Sequence, residues 1–112
     1  MKLALLSASP RRGSNSLKTA TYLSKLAQEA GADTLDVLDF HEADIPLVGR
    51  GSLNPDQLSV FQKRLVEAWR AADIVVIVVP EYHWAAPGEL LNALDQLGGK
   101  AVADLFDGKG FA

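Results

Sequence analysis

Residues 7–16 carry side chains that readily bind an anion, and they join an apolar run to a helical pattern. Their sequence, Ser-Ala-Ser-Pro-Arg-Arg-Gly-Ser-Asn-Ser, supplies hydroxyl, amide and guanidinium donors within one short loop. Backbone N–H groups and the positive end of the helix dipole also converge on a loop in this position. The pattern therefore favours a phosphate site with the donors Ser9, Ser14, Asn15, Ser16 and either Arg11 or Arg12.

A plainer interpretation of this loop makes Ser14 a helix N-cap and leaves both arginines solvated. Two better-known phosphate motifs are absent, since the chain has neither G-x-x-x-x-G-K-[ST] nor G-x-G-x-x-G after the strand. Without the lysine and the Mg²⁺-binding hydroxyl of the first motif, nucleotide hydrolysis has no support. We therefore expect the loop to hold a phosphate and not to cleave it.

Residues 80–88, Pro-Glu-Tyr-His-Trp-Ala-Ala-Pro-Gly, form a second unusual loop after the most apolar run of the chain. An aromatic platform beside small residues and backbone amides suits a flat heteroaromatic ring, which needs stacking and edge hydrogen bonds. The alternative is that Tyr82 and Trp84 pack internally and that His83 is an exposed loop histidine. Glu81 has few acidic neighbours along the sequence, so we assign it to loop shaping ahead of acid–base catalysis.

The elements that must position these loops alternate between strands and helices. Apolar runs predict strands at residues 2–7, 34–40 and 74–79. Helical spacing predicts helices after each strand, through residues 17–30, from Asn54 and Pro55 to residue 72, and from Pro87 to residue 97. Such units give a parallel sheet that binds ligands beyond the carboxyl ends of its strands, where both unusual loops lie.

Together the two loops resemble the NADPH-dependent FMN reductase family of flavodoxin-like proteins, which includes azoreductases, chromate reductases and quinone reductases. Residues 7–16 resemble its phosphate loop, in which Gly-Ser precedes an arginine and a Ser-Asn pair; Ala8 replaces the usual glycine. Residues 72–83 and 87–95 resemble its second signature, Pro-Glu-Tyr-Asn followed by Pro-Gly-x-Leu-Lys-Asn-Ala-x-Asp. His83 stands where Asn is common and Leu91 where Lys is common, and the resemblance covers the whole chain.

The resemblance implies a flavin-dependent oxidoreductase in which NAD(P)H reduces FMN and a quinone, azo dye, metal oxyanion or free flavin takes the electrons. It implies a flavodoxin-like three-layer α/β/α fold and no catalytic side chain, because the flavin carries the chemistry. The FMN phosphate would be held by Ser9, Arg11, Ser14, Asn15 and Ser16. The isoalloxazine ring would be lined by Pro80, Glu81, Tyr82 and His83.

Composition limits the other classes of function. The chain has 112 residues, 48% of them hydrophobic, which fits one domain over residues 1–112. A net charge of −3 argues against nucleic acid as a partner, and no apolar run approaches the ~20 residues of a membrane helix. We therefore expect a cytosolic protein. Without cysteine there is no disulfide, thiolate nucleophile or iron–sulfur ligand, and two histidines do not complete a zinc site.

The chain is expected to lack the later strands and helices of a flavodoxin-like sheet, which has the strand order 2-1-3-4-5. Strands 2-1-3 alone would leave residues 74–79 as an exposed apolar edge, and such edges pair with other chains. We therefore predict a homo-oligomer, a dimer or tetramer, that associates through this strand. The alternative function is a truncated, non-catalytic remnant that binds a phosphate-bearing ligand or a partner chain.

Overall fold

The computed structural model describes residues 1–80 and 86–112. Its strands are β1 (Lys2–Ser7), β2 (Asp33–Asp39), β3 (Ile74–Val78) and β4 (Gly110–Phe111). Its α-helices are α1 (Asn15–Glu29), α2 (Val60–Ala71) and α3 (Gly88–Leu97), and two 3₁₀ helices span Phe40–Glu42 and Lys100–Phe106. None of the helices in the described ranges has the length and apolarity needed to cross a membrane.

The four strands form one parallel sheet in the order β2-β1-β3-β4, which confirms the predicted 2-1-3 arrangement. At the centre, Leu5 of β1 is paired with Val37 on one side and Val76 on the other. One hydrogen bond beyond the strand, Ala8 N–H to the Val78 carbonyl at 3.0 Å, holds the start of the β1–α1 loop against β3. This contact brings the carboxyl ends of β1 and β3 together.

The larger core lies on one face of the sheet, under α2 and α3. Ala4, Leu6 and Ala8 alternate along β1 and its extension into this core, where they meet the buried Trp69 and Leu97. Because successive strand residues point to opposite faces, the buried Leu5 points to the other face, beneath α1. The sheet is thus covered on both faces, as a parallel sheet requires.

The expectation that residues 74–79 form an open edge is wrong over the first part of β3. Strand β4 pairs with Ile74 and Val75, and the Ala112 carbonyl accepts a hydrogen bond from Ile77 N–H at 2.7 Å. The reason is an aromatic anchor that the sequence pattern did not indicate: the fully buried Trp69 contacts the rings of Phe106 and Phe111. The Trp69 indole N–H also donates to the Leu105 carbonyl at 2.8 Å.

Helix α2 begins later than Asn54, where the sequence placed its start. The Asn54 side chain instead accepts from Asp56 N–H at 3.0 Å and forms a local turn. The helix begins after Ser59, whose hydroxyl accepts from Gln62 N–H while the Gln62 side chain accepts from Ser59 N–H, both at 3.1 Å. The start of α2 is therefore set by this reciprocal capping box and not by Asn54-Pro55. Strand β2 is displaced by one residue, from 34–40 to Asp33–Asp39.

Candidate functional site

The β1–α1 loop encloses a pocket of about 300 Å³ at the carboxyl edge of the sheet. All five predicted phosphate ligands line it, together with the predicted ring contact Pro80. Among the described residues, the lining is Ser9, Arg11, Arg12, Gly13, Ser14, Asn15, Ser16 and Pro80. We call this cavity the anion pocket. Arg12 and Gly13 were not among the residues assigned to the phosphate by resemblance, although both stand in the same loop.

The loop keeps its shape through short local contacts. Ser14 caps α1, since its hydroxyl oxygen accepts from Leu17 N–H at 3.0 Å. The buried Ser9 hydroxyl accepts from Arg11 N–H at 3.3 Å. Gly13 has φ +59°, a left-handed conformation that L side chains rarely adopt, with open space where a Cβ would stand. The N-cap role considered for Ser14 is therefore correct, and it coexists with a place in the pocket.

The described lining of the anion pocket is rich in hydrogen-bond donors and carries two guanidinium groups. Helix geometry leaves the N–H groups of Asn15 and Ser16 without a carbonyl partner inside α1, and both residues line the cavity. The helix dipole adds about half a positive charge at this end. The surrounding sequence agrees, because residues 1–28 contain five cations, Lys2, Arg11, Arg12, Lys18 and Lys25, and no Asp or Glu. An anion is the ligand that these groups favour.

Ser7 ends β1 directly before this loop and is fully buried. Its hydroxyl has no hydrogen-bond partner among residues 1–80 and 86–112. An unsatisfied buried hydroxyl costs about 1–3 kcal/mol. A polar ligand at this edge of the sheet would offset such a cost, so Ser7 is a candidate ligand contact that the sequence pattern did not single out.

The second predicted loop is represented in the site by Pro80, which lines the anion pocket. The predicted ring contacts Glu81, Tyr82 and His83 lie outside the described residues, as does Trp84. The position of Pro80 shows that the end of the third predicted strand lies beside the β1–α1 loop, as the strand order requires.

His41 is a further contact to the first loop. No partner for it was evident from the sequence, yet its Nδ1 lies 3.0 Å from the Pro10 carbonyl oxygen. The backbone N–H of His41 donates to the Asp39 carboxylate at 3.0 Å. With the proton on Nδ1, the imidazole ties the end of β2 to the loop that forms the anion pocket.

A second cavity of about 300 Å³ lies between the segment after β2 and the first turns of α3. It is lined by Ala43, Ile45, Leu47, Gly88, Glu89 and Asn92, and we call it the apolar pocket. Asn92 belongs to the second signature, and the structure gives it a bridging role. Its Nδ2 donates to the Pro46 carbonyl and its Oδ1 accepts from Val48 N–H, both at 2.9 Å.

Comparisons with known proteins agree with this geometry. The family model for NADPH-dependent FMN reductase matches residues 1–112. A quinone reductase of Escherichia coli K12 is 44% identical over 55 residues, which cover 49% of this chain and 29% of that protein. An NADPH azoreductase of Bacillus sp. OY1-2 is 33% identical over 97 residues, covering 87% of this chain and 50% of that protein.

Among solved structures, the flavoenzyme FerB of Paracoccus denitrificans, an NAD(P)H:(acceptor) oxidoreductase, superposes with a TM-score of 0.72. It is 26% identical, and the match covers 98% of this chain and 57% of FerB. The chain thus spans about half the length, or less, of the curated relatives that it matches. The anion pocket and the four strands lie within residues 1–112, which the family model matches.

Proposed function

We propose, since this chain belongs to the NADPH-dependent FMN reductase family, that its anion pocket holds the phosphate of FMN. The observation that carries the proposal is the convergence of all five predicted ligands on one cavity at the N-terminus of α1. The chain would then be the phosphate-binding part of an oxidoreductase that uses NAD(P)H. Its relatives carry the names quinone reductase and NADPH azoreductase, which supports that class of reaction.

Each group in the pocket has a defined task in this proposal. Backbone N–H groups of Asn15 and Ser16, with the α1 dipole, bind phosphate oxygens. The Ser14 hydroxyl, whose oxygen accepts the local hydrogen bond from Leu17 N–H, keeps its own proton for donation to the phosphate, and the buried Ser9 lines the same cavity. Arg11 supplies a guanidinium, which can bind two phosphate oxygens at once. The bound FMN would supply hydride transfer between a nicotinamide and an acceptor.

We also propose the contacts to the flavin ring, the class of acceptor and the compartment. Glu81, Tyr82 and His83 would lie along the flavin ring, and Pro80 lines the anion pocket. The acceptor would be a small molecule such as a quinone, an azo compound, a metal oxyanion or a flavin, and the protein would act in the cytosol.

Self-association is also proposed. The sheet order leaves β2 and the two-residue β4 as its outer strands, and the exposed Val79 follows β3 beyond the paired residues. Association would continue the sheet or cover this end of it. A mass that rises with concentration in analytical ultracentrifugation supports the proposal, and a monomer mass at every concentration contradicts it.

The phosphate assignment is tested by titrating the purified chain with FMN and following flavin fluorescence. Replacing Arg11 and Ser14 together with Ala should raise the Kd about 10- to 100-fold, because a charged donor and a hydroxyl donor to the phosphate are both lost. Lys63→Ala is the matched control for lost charge, since Lys63 is exposed on α2. Absence of FMN binding by the unmodified chain, or an unchanged Kd in the double variant, contradicts the proposal.

A further inference from the structure

The apolar pocket lies at the same edge of the sheet as the anion pocket but has the opposite character. One wall is formed by Ala43, Ile45 and Leu47, which follow β2, and the other by the first turns of α3. Because β1 lies between β2 and β3, the carboxyl ends of all three strands meet at this edge. A ligand in the apolar pocket would therefore lie on the side of the sheet where parallel folds bind their ligands.

The walls of this pocket are fixed by hydrogen bonds across the fold. Gln96 Nε2 donates to the Pro46 and Gly51 carbonyls, both at 2.9 Å. With the two bonds that Asn92 makes to Pro46 and Val48, four side-chain contacts fasten the loop to α3. A loop held in this way loses little conformational entropy when a ligand binds, so the cavity is preorganised.

The lining specifies the shape and polarity of a ligand. Its volume is at the small end of the range for ligand sites, which suits one or two fused rings. Leu47 is 59% exposed, so a ligand that covers this side chain removes apolar surface from water. Gly88 has no heavy atom within 4 Å of where a Cβ would stand, which leaves the entrance of the pocket beside α3 open.

The charge beside the apolar pocket also limits which ligands it can bind. Of the described residues that line it, Glu89 alone carries a formal charge, and it lies in the first turn of α3. The α3 dipole places about half a positive charge at this end, and the full negative charge of the Glu89 carboxylate exceeds it, so the rim disfavours an anion and tolerates a neutral ring. The anion pocket, which contains Arg11 and Arg12, has the opposite preference.

We propose that the apolar pocket is a second binding site, specific for an uncharged flat aromatic molecule, and that Glu89 sets its preference against anions. Its use as the acceptor site of an oxidoreductase rests on the proposed function, whereas binding to the pocket does not. In that use it would favour neutral ring compounds over metal oxyanions among the acceptor classes.

The binding test uses the full chain without FMN. A ¹⁵N-labelled sample is titrated with 2-methyl-1,4-naphthoquinone and, separately, with its 2-sulfonate, and amide shifts are recorded. The neutral quinone should shift the amides of Leu47, Gly88 and Asn92 to saturation. The sulfonate should bind about threefold more weakly, which is the effect of one like charge some 6 Å away in water.

Two variants make the result specific. Glu89→Gln should bring the two affinities within about 1.5-fold of each other, because it removes the charge and keeps the shape. Leu47→Ser should weaken the neutral quinone several-fold, whereas Leu91→Ser, a change at an exposed leucine of α3 outside the pocket lining, should not. Shifts located elsewhere, an unchanged charge preference in Glu89→Gln, or shifts at these amides on simple dilution would overturn the proposal.

A parallel FMN titration separates this proposal from the proposed function. Quinone binding at the pocket without any FMN binding retains the second site and rejects the flavin assignment. FMN binding with no quinone shifts at Leu47, Gly88 and Asn92 rejects the second site and retains the flavin assignment.

Discussion

Two loops leave the same edge of the sheet, and they obtain their binding surfaces in different ways. The β1–α1 loop forms the anion pocket from neighbours in sequence, with contacts of two or three residues' separation at Ser9 and Ser14. The loop after β2 forms the apolar pocket only when Asn92 and Gln96, 44 to 50 residues away, fasten it to α3. A local motif can therefore reveal the first site, whereas the second exists only in the folded chain.

The two regions also differ in charge. Residues 1–28 contain no acidic side chain, while the rest of the chain carries six cations and all 14 acidic residues. The overall charge of −3 conceals this division. An anionic ligand is thus favoured at the N-terminus of α1 and disfavoured beside Glu89.

The largest loss of stability is expected from removing the side chains that hold the loop after β2 against α3. Asn92→Ala combined with Gln96→Ala deletes four hydrogen bonds and should lower the free energy of unfolding by roughly 3–5 kcal/mol. Denaturant unfolding measures this loss. Asn92→Ala alone, with an expected loss of about 2 kcal/mol, keeps the test usable if the double variant does not fold. FMN affinity of a folded variant should be unchanged, and a large loss of affinity would show that the two pockets are not independent.

A smaller loss of stability is expected from replacing Gly13, which tests whether local contacts set the shape of the β1–α1 loop. Gly13→Ala places a Cβ on a left-handed residue and should lower the free energy of unfolding by about 1–2 kcal/mol. It should also weaken FMN binding, because the loop backbone must shift. Gly88→Ala is the control, since Gly88 has ordinary backbone angles and open space around it, and its stability should be unchanged or slightly higher. Equal losses in the two variants would contradict the assignment of loop shape to Gly13.

These contrasts explain how much the sequence could predict. Strand and helix patterns identified β1, β2, β3 and the three helices, because runs of β-branched residues and helical spacing are local signals. The residues predicted to bind phosphate are also neighbours in sequence, and the structure shows that they line one pocket, while their binding role stays a prediction. The start of α2 was misplaced because Asn54-Pro55 and the Ser59–Gln62 capping box are both valid start signals, and the pattern could not rank them.

The features that were missed all depend on contacts between distant residues. The pairing of β4 with β3 depends on the contacts of the Trp69 ring with Phe106 and Phe111. The contact of His41 with Pro10 spans 31 residues. Asn92 was recognised only as part of the second family signature, and its hydrogen bonds to Pro46 and Val48 were not predicted. Hydrogen bonds of this kind have no signature in a single sequence.

Ser7 offers a test of modest size at the border of the first region. Ser7→Ala removes a buried hydroxyl that has no partner in the described parts of the chain, so the free chain should be as stable or up to about 1 kcal/mol more stable. If the hydroxyl contacts bound FMN, the same variant should weaken FMN binding several-fold. Thermal unfolding with and without FMN separates the two effects, and a destabilised free chain would show that Ser7 has a partner in the fold.

The smallest effect is expected far from both pockets, at the ion pair between Arg70 and Asp104, which joins α2 to the C-terminal segment at 2.9 Å. The hydrogen bond from Arg70 holds the pKa of Asp104 below its usual range. A lowered carboxyl pKa stabilises the fold above the ordinary value near 4 and loses this contribution as the pH falls through the lowered value. Asp104→Asn should therefore be slightly less stable than the unmodified chain at pH 7, with a difference that disappears on acidification. A difference that grows in acid would contradict this sign.

The central claim is that the β1–α1 loop binds the phosphate of a flavin, and a comparison of FMN with riboflavin tests it most directly. The two ligands share the ring and differ in the phosphate, so the ratio of their Kd values isolates the contribution of the anion pocket. We predict that FMN binds at least about 30-fold more tightly than riboflavin, and that Arg11→Ala with Ser14→Ala removes most of this difference. Equal affinities of the unmodified chain for FMN and riboflavin would contradict the account.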